Sequence, residues 1–405
     1  MKPYLGEGVK LVSNLSQTKL NNQFMIIETL LSHGDMSRAS LAKKLNLSKP
    51  AAADNVEALI AEGLVIEIGE GRASPRGGRK PRLLRFNHSY RGIVVLDIQD
   101  VNPMIAIGDL SGEVVAKKTV YLDRDLSNSS DAEIIIHEIK KLALEQPHLP
   151  IGVIVITSPG IFAEDNTLLY VHPKHLLANA HLEDTLSKAF AVPIVIKNDM
   201  NAAVLGEHSL GMGIGSKDMA FISCGHGIGA GLIIDSKLHE GKNFEAGELS
   251  FLTTPRIYKS TGTIEEYLTT TALLKNVVSD IHENQASDQL LHYYVRKKSL
   301  TFDDIVKFAT NGDSYLLEKI RKMAFELGIL IANVCSLLDV EKIVLGGEIL
   351  SIYKWIETPI NEALKGATPF PPLLQPSILG DSVVLFGGVV FGRNRLLQEL
   401  KLLPV

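Results

Sequence analysis

The sequence has few of the residues that typify secreted or metal-stabilised proteins. Only 2 cysteines occur in 405 residues, too few for a disulfide framework or a thiolate-rich zinc site. We expect Cys224 and Cys335 to be small buried side chains. No apolar run is long enough to span a membrane, and the polar N-terminus lacks the apolar core of a signal peptide. The composition therefore predicts a cytoplasmic protein of two or three domains that does not associate with a membrane.

Charge is divided unequally along the chain. The whole chain has a formal net charge of −5. Residues 1–90 contain 13 lysines and arginines against 8 acidic residues, whereas the remainder contains 28 against 38. A basic N-terminal part thus precedes an acidic body. This asymmetry makes nucleic acid a candidate partner of the basic end.

The basic part has the pattern of a helix-turn-helix. Apolar residues recur at helical spacing from Asn22 to Leu31, and Ser37 is placed to cap a second helix. Ser48, Lys49 and Pro50 then open a third helix, with a capping serine and a proline in the first turn. In this arrangement the third helix enters the major groove with its amino-terminal end nearest the bases. We therefore expect Lys49 and Asn55 to contact DNA.

A wing follows the third helix. Two predicted strands, the second ending near Phe86, flank residues 71–82, and residues 72–85 contain six basic residues and no acidic ones. Glycines near the tip would let this segment enter a narrow minor groove, where negative potential attracts arginine. The predicted wing contacts are Arg76, Arg79, Lys80 and Arg82. Two alternatives remain open, because such a segment could be a solvated basic linker and the module could bind protein instead of DNA.

From residue 90 onward, strands and helices alternate. Buried strands are predicted at residues 93–97, 104–109 and 114–120, followed by a helix at 132–144 and a parallel strand at 151–156. A long helix at 315–337 precedes another strand at 343–345. This order predicts a two-lobed α/β body of the actin-like, ribonuclease-H-like type.

Three stretches of the body carry candidate site chemistry. Asn198 and Asp199 end a short β-branched strand, where they either cap the next helix or face a ligand crevice. Residues 224–231 form a glycine-spaced turn between strands, which fits either a hairpin that needs positive φ or a close backbone approach to a ligand. Glu245, Glu248 and Glu265 supply carboxylates beside small residues.

Taken together, these motifs resemble the ROK family, which joins sugar-dependent repressors and sugar kinases in one fold. The run Asn198-Asp199-Met200-Asn201-Ala202-Ala203 is similar to the family's catalytic-aspartate segment. Residues 224–231 resemble its second phosphate loop, and Leu345-Gly346-Gly347-Glu348 its nucleotide-side turn. With the N-terminal module included, the resemblance is to the regulator branch, of the xylose-repressor and N-acetylglucosamine-repressor type.

Two departures from the family pattern bear on function. ROK kinases carry an Asp-x-Gly-Gly-Thr loop around the ATP phosphates, whereas this chain reads Asp97-Ile98-Gln99-Asp100-Val101 at the same length. Both loop glycines and the threonine hydroxyl are replaced, which predicts that the protein is not a kinase. The family's zinc-binding histidine and cysteines are also missing: Glu248 occupies the histidine's position, and residues 256–263 contain no cysteine. We therefore expect no metal and no cofactor.

These observations predict a winged helix-turn-helix at residues 1–88 and a ROK-like sugar-binding domain at 89–405. Lobe one would span about 89–205 plus a C-terminal helix at 384–403, and lobe two about 206–383. The predicted function is a sugar-responsive repressor that binds operator DNA as a homodimer or homotetramer. The predicted sugar-binding residues are Asn198, Asp199, Glu245, Glu248 and Glu265. Two alternatives are a sugar kinase fused to a DNA-binding module and a regulator with a vestigial effector site that is controlled by a protein partner.

Overall fold

A computed structural model describes residues 7–70, 80–99, 102–122, 129–170, 182–252 and 262–400. Within these ranges, side chains are described from residue 18 onward, and residues 129 and 130 are described by their backbone only. None of the helices in this part of the chain has both the length and the apolar character that crossing a membrane requires.

The N-terminal module is a three-helix unit with a small sheet. Its helices are α1 (Glu7–His33), α2 (Arg38–Lys44) and α3 (Lys49–Ala61). Its strands are β1 (Met36–Ser37), β2 (Val65–Glu70) and β3 (Arg82–Phe86), which form a sheet in the order β1-β3-β2. Ser37 caps α2 through the amide of Ser40, and Ser48 caps α3 through that of Ala51. Both predicted caps are confirmed.

The first sheet of the body has five strands in the order β10-β7-β4-β5-β6. In chain order they are β4 (Gly92–Asp97), β5 (Met104–Gly108), β6 (Val114–Thr119), β7 (Ile151–Ser158) and β10 (Ile194–Asn198). Strands β4 and β10 run parallel to β7 on its two sides, so their carboxyl ends lie along one edge. Helices α4 (Ser129–Leu144) and α5 (Leu182–Phe190) belong to this region, and a hairpin of β8 (Ile161–Phe162) and β9 (Leu168–Tyr170) follows β7.

The second sheet has the order β13-β12-β11-β14-β15. Its strands are β11 (Met219–Cys224), β12 (Ile228–Ile234), β13 (Lys237–Leu238), β14 (Lys342–Gly346) and β15 (Leu373–Pro376). The helices that accompany it are α6 (Asp199–Leu210), α7 (Glu265–Leu268), α8 (Thr270–His282), α9 (Asp288–Lys297), α10 (Phe302–Thr310), α11 (Ser314–Leu338) and α12 (Tyr353–Ala367). Both cysteines are buried, as predicted.

The last helix, α13 (Val383–Glu399), connects several parts of the molecule. Its first residues line the cavity between the two sheets. Its backbone touches that of α6 so closely that a Cβ at Gly387 would overlap the Ala202 carbonyl. Near its other end, Leu396 and Leu397 share one apolar core with Ile26 and Ile27 of α1. A rigid helix therefore runs from the cavity to the N-terminal module.

Most of the predicted elements match the structure to within a few residues. The predicted helix at 315–337 is α11, and the predicted strands at 93–97 and 151–156 are the cores of β4 and β7. The first helix is longer than predicted, because it begins at Glu7 rather than near Asn22. The return of the last helix to the first lobe is confirmed by its packing on β4, where Gly388 and Gly392 meet Val95 and Ile93. The exact domain boundaries stay a prediction.

Candidate functional site

A cavity of about 700 Å³ lies where the carboxyl ends of the parallel strands of both sheets meet. From the first sheet, β4 ends at Asp97 and β10 at Asn198, which are held in register with Thr157 and Ser158 of β7, the strand between them. This is the position at which open α/β sheets bind ligands. A volume of this size is typical of small-molecule sites.

Asn198 and Asp199 both line the cavity, and Asn198 also caps the helix that follows. The Asn198 side chain accepts from the amides of Met200 and Asn201 at 2.8 and 3.0 Å and donates to the Gly160 carbonyl at 2.9 Å. It is therefore the helix cap. Asp199, the first residue of α6, is only 7% exposed and lines the cavity. Burial raises the pKa of its carboxyl to about 6, partly offset by backbone amides.

Glu248 and Glu265 approach the same cavity from the segments after β12. Glu248 Oε1 lies 3.5 Å from Asn198 Nδ2, and the Ile228 amide donates to Glu265 Oε1 at 3.2 Å. Burial, together with the charges of Asp199, Glu245 and Glu265, raises the pKa of Glu248 to about 7.

Glu245 does not fit the prediction that it lines the sugar site. Its side chain is exposed and does not line the cavity. A tight turn is the reason, because the flanking residues Phe244 and Gly247 adopt φ values of 61° and 93° and direct the intervening side chain outward. The charge of Glu245 nevertheless contributes to the raised pKa of Glu248.

Further polar residues line the cavity on the side where the family's phosphate loops would lie. They were not among the site residues predicted from the sequence. They are Asp97, Gln99, Asn102, Ser223, Glu348 and Asp381. Thr157 donates to Asp97 at 2.9 Å, while burial and the charge of Asp199 raise the pKa of Asp97 to about 7. Six carboxylates in all, and no lysine or arginine, line the cavity in the described part of the chain. The strand-end rule could have identified Asp97, whereas Asp381, in a short 3-10 turn, had no sequence signal.

The glycines of the β11–β12 hairpin are not there for positive φ: Gly225, Gly227 and Gly229 line the cavity, and Gly229 and Gly231 allow close packing. None of Gly225, Gly227, Gly229 or Gly231 has a positive φ, so this interpretation of the turn is wrong. A Cβ at Gly229 would lie 2.9 Å from Met200 Cγ, and one at Gly231 would overlap the Met200 carbonyl. The glycines therefore let α6, which begins with Asp199, lie directly on β12.

A metal site does not appear among the described residues, where no group of three or more His, Cys, Asp and Glu side chains could hold an ion. Cys224 lies 3.0 Å from the Leu268 carbonyl, and burial raises the pKa of its thiol to about 12. It is therefore a buried thiol and not a thiolate ligand.

The predicted DNA contacts differ in how accessible they are. Lys49 is exposed at the start of α3. Asn55 is only 4% exposed and donates to the Ala51 carbonyl at 2.7 Å, so the prediction that it reads a base does not fit its position. Lys80 and Arg82 are exposed and paired with Glu70 and Glu67. The remaining predicted contacts, Arg76 and Arg79, lie outside the described residues.

Comparison with known proteins agrees with both parts of this architecture. A winged helix-turn-helix DNA-binding model matches residues 20–66, and the ROK family model matches residues 94–391. The xylose repressor of Bacillus spizizenii is 26% identical over 390 residues, 93% of this chain and 96% of that protein. The glucokinase of Halalkalibacterium halodurans is 27% identical over 289 residues, 68% of this chain and 85% of the enzyme.

Among solved structures, a ROK family transcriptional regulator described as a homologue of the E. coli MLC protein superimposes with a TM-score of 0.77. It covers 93% of this chain and 96% of its own at 22% identity, which supports a common fold. The two-sheet body, its cavity and the family match over residues 94–391 lead to one conclusion: this chain belongs to the ROK family.

Proposed function

We propose that the protein is a DNA-binding repressor whose ROK body binds an uncharged sugar and catalyses no phosphoryl transfer. The N-terminal module would bind operator DNA, and the sugar would occupy the cavity at Asp199. The length match to a protein named xylose repressor supports this combination of functions. Carboxylates suit a sugar because each oxygen can accept a hydrogen bond from a separate hydroxyl group.

The charge of the cavity is the observation that carries the proposal. Six carboxylates line it, with no lysine or arginine among the described lining residues. Two like charges about 4 Å apart near a protein surface repel each other by on the order of a few kcal/mol. A triphosphate or a sugar phosphate would therefore be disfavoured, whereas a neutral polyol would be accepted. Gln99 supplies an amide where the family's phosphate loop has glycine.

The kinase alternative rests on one feature, the retained Asp199. A buried carboxyl with a raised pKa at this position could accept the proton of a sugar hydroxyl. The described cavity wall contains no lysine or arginine that could bind phosphate. This argues against the kinase alternative, because phosphoryl transfer depends on positive groups around the transferred phosphate.

A thermal-shift screen tests the proposal. A ligand that binds only the native state raises the unfolding midpoint by mass action. We expect a shift with at least one neutral sugar from a panel containing D-xylose, D-glucose and N-acetylglucosamine, and none with their phosphate esters. A shift with phosphate esters alone would contradict the proposed charge selectivity. In a parallel assay with ATP and magnesium, sugar-dependent ADP release that Asp199→Asn abolishes would establish the kinase.

We also propose that the protein is at least a homodimer. Operators of helix-turn-helix proteins are usually palindromic because the protein has two-fold symmetry. Sedimentation velocity at micromolar concentration should therefore give the mass of two or four chains. A monomer under all conditions would contradict this part of the proposal.

A further inference from the structure

Two exposed aromatic rings meet beside the cavity. Tyr170, at the end of β9, is 50% exposed, and Phe251, in a short 3-10 turn, is 57% exposed. Their ring centroids are 5.9 Å apart at an interplanar angle of 70°. Large aromatic side chains are expensive to leave in water, and exposed apolar patches beside a cleft often mark a binding surface.

Both aromatic residues are adjacent, in sequence or by packing, to residues that line the cavity. Ser250 and Glu248, immediately before Phe251, belong to the cavity wall. Gly160 also lines the cavity, and a Cβ there would lie 2.9 Å from the Tyr170 carbonyl oxygen. The aromatic pair is therefore continuous with the carboxylate-lined wall rather than an isolated surface patch.

The two rings also come from separate parts of the body. Tyr170 belongs to the β8–β9 hairpin that follows β7 of the first sheet, and Phe251 follows β13 of the second sheet. A ligand held against both rings would contact segments that follow strands of both sheets.

This combination matches the surface of a sugar chain. A pyranose ring has C–H groups on its faces and hydroxyl groups around its edge. Its faces favour flat apolar surfaces, and its edge favours oxygen acceptors such as the carboxylates of the cavity.

We propose that Tyr170 and Phe251 form an outer subsite for a second sugar ring, and that the effector is a disaccharide or longer glycan. This inference rests on the proposed function, because the inner ring would occupy the carboxylate-lined cavity at Asp199. The outer ring packs against the aromatic pair at the opening. The inner site sets the requirement for an uncharged hydroxyl-rich ring, and the outer site selects for chain length.

Isothermal titration of the full chain with matched sugars tests this subsite. The probes are D-xylose with xylobiose and D-glucose with cellobiose and maltose. We expect one disaccharide to bind more tightly than its monosaccharide. Tyr170→Ala or Phe251→Ala should weaken that disaccharide about 5- to 10-fold and leave the monosaccharide unchanged, because only stacking is lost.

Three control variants separate stacking from other effects. Tyr170→Phe keeps the ring and should retain the disaccharide affinity. Phe370→Ala removes an aromatic side chain that is 83% exposed and does not line the cavity, and it should change neither affinity. Asp199→Ala should weaken monosaccharide and disaccharide together.

The possible results are distinguishable. Equal affinity for each monosaccharide and its disaccharides, or a disaccharide affinity that both alanine variants leave intact, would overturn the subsite while the proposed function stands. If no sugar binds, both the proposed function and the subsite are wrong. If the alanine variants change the oligomeric state in sedimentation and leave the disaccharide affinity intact, the rings form a protein interface and the inference is wrong.

Discussion

The cavity and the winged helix-turn-helix differ in the burial and pairing of their charged side chains. In the cavity, Asp97, Asp199 and Glu248 are largely buried, face one another and have raised pKa values. On the winged module, Arg82 is exposed and already paired with Glu67. Unpaired buried carboxylates are costly for the free protein, which favours a ligand-binding role over a stabilising one. Exposed ion pairs contribute little to stability and can exchange partners when a phosphate backbone approaches.

The largest effect in this comparison should come from removing the buried carboxylate itself. Asp199→Ala deletes a charged acceptor for sugar hydroxyls, and such hydrogen bonds contribute roughly 1.5–3 kcal/mol each. We expect sugar affinity measured by calorimetry to fall on the order of 100-fold. A fall of less than threefold would show that Asp199 does not contact the sugar.

The next largest effect should come from separating the helices behind the cavity. A Cβ at Gly387 would overlap the Ala202 carbonyl, so Gly387→Ala must push α13 away from α6. Overpacking of this kind typically costs about 1–3 kcal/mol. The matched control is Gly366→Ala in α12, which has open space around it and should be neutral or slightly stabilising. Urea denaturation measures both, and equal free energies of unfolding for the two variants would rule out this tight contact.

The pH dependence of stability should reveal the buried carboxyls. In the folded protein, the pKa values of Asp97, Asp199 and Glu248 are about 6–7, above the ordinary carboxyl values. The stability contributed by their protonated forms is therefore fully present below about pH 4. It is lost as the pH rises through 6 and 7. Asp199→Asn removes one of these charges, and each pKa unit corresponds to about 1.4 kcal/mol.

We therefore expect Asp199→Asn to be about as stable as the unsubstituted protein at pH 4.5 and more stable at pH 8, by on the order of 1–3 kcal/mol. Denaturant unfolding at both pH values measures the difference. A variant that is less stable at pH 8 would contradict the raised pKa of Asp199.

The smallest effect should come from the wing. Arg82→Ala removes one exposed cation, so affinity for specific and unrelated DNA should fall alike, with the slope of log affinity against log salt decreasing by about 0.9 if one phosphate contact is lost. Lys49→Ala is the contrasting change, and a loss confined to specific DNA would indicate base reading. An unchanged slope and affinity in Arg82→Ala would mean that the residue makes no DNA contact.

Much of the scaffold was predictable because local rules and tertiary packing agree. The caps at Ser37 and Ser48 follow from side-chain chemistry alone, and the position of Asp199 follows from its place at the end of a short β-branched strand. The interpretation of Asn55 failed although a signal was present. Ala52, Asn55, Val56 and Leu59 recur at helical spacing, and all four are buried on one face of α3.

Other features depend on long-range geometry that no local pattern reveals. Glu348 receives a hydrogen bond from Thr270, 78 positions away, and Asp381 reaches the cavity only because α13 returns to the first sheet. Tyr170 and Phe251 meet across 81 positions of sequence. Only the assembled sheets bring such residues together.

We propose, as the central claim, that a sugar in the Asp199 cavity controls DNA binding. The direct test takes a DNA fragment selected by the protein from a random library and measures its binding by fluorescence anisotropy, with and without the sugar found in the thermal-shift screen. We predict that the sugar changes the DNA affinity of the unsubstituted protein at least tenfold and leaves that of Asp199→Ala unchanged. A sugar that binds calorimetrically but leaves DNA affinity the same in both proteins would contradict the claim.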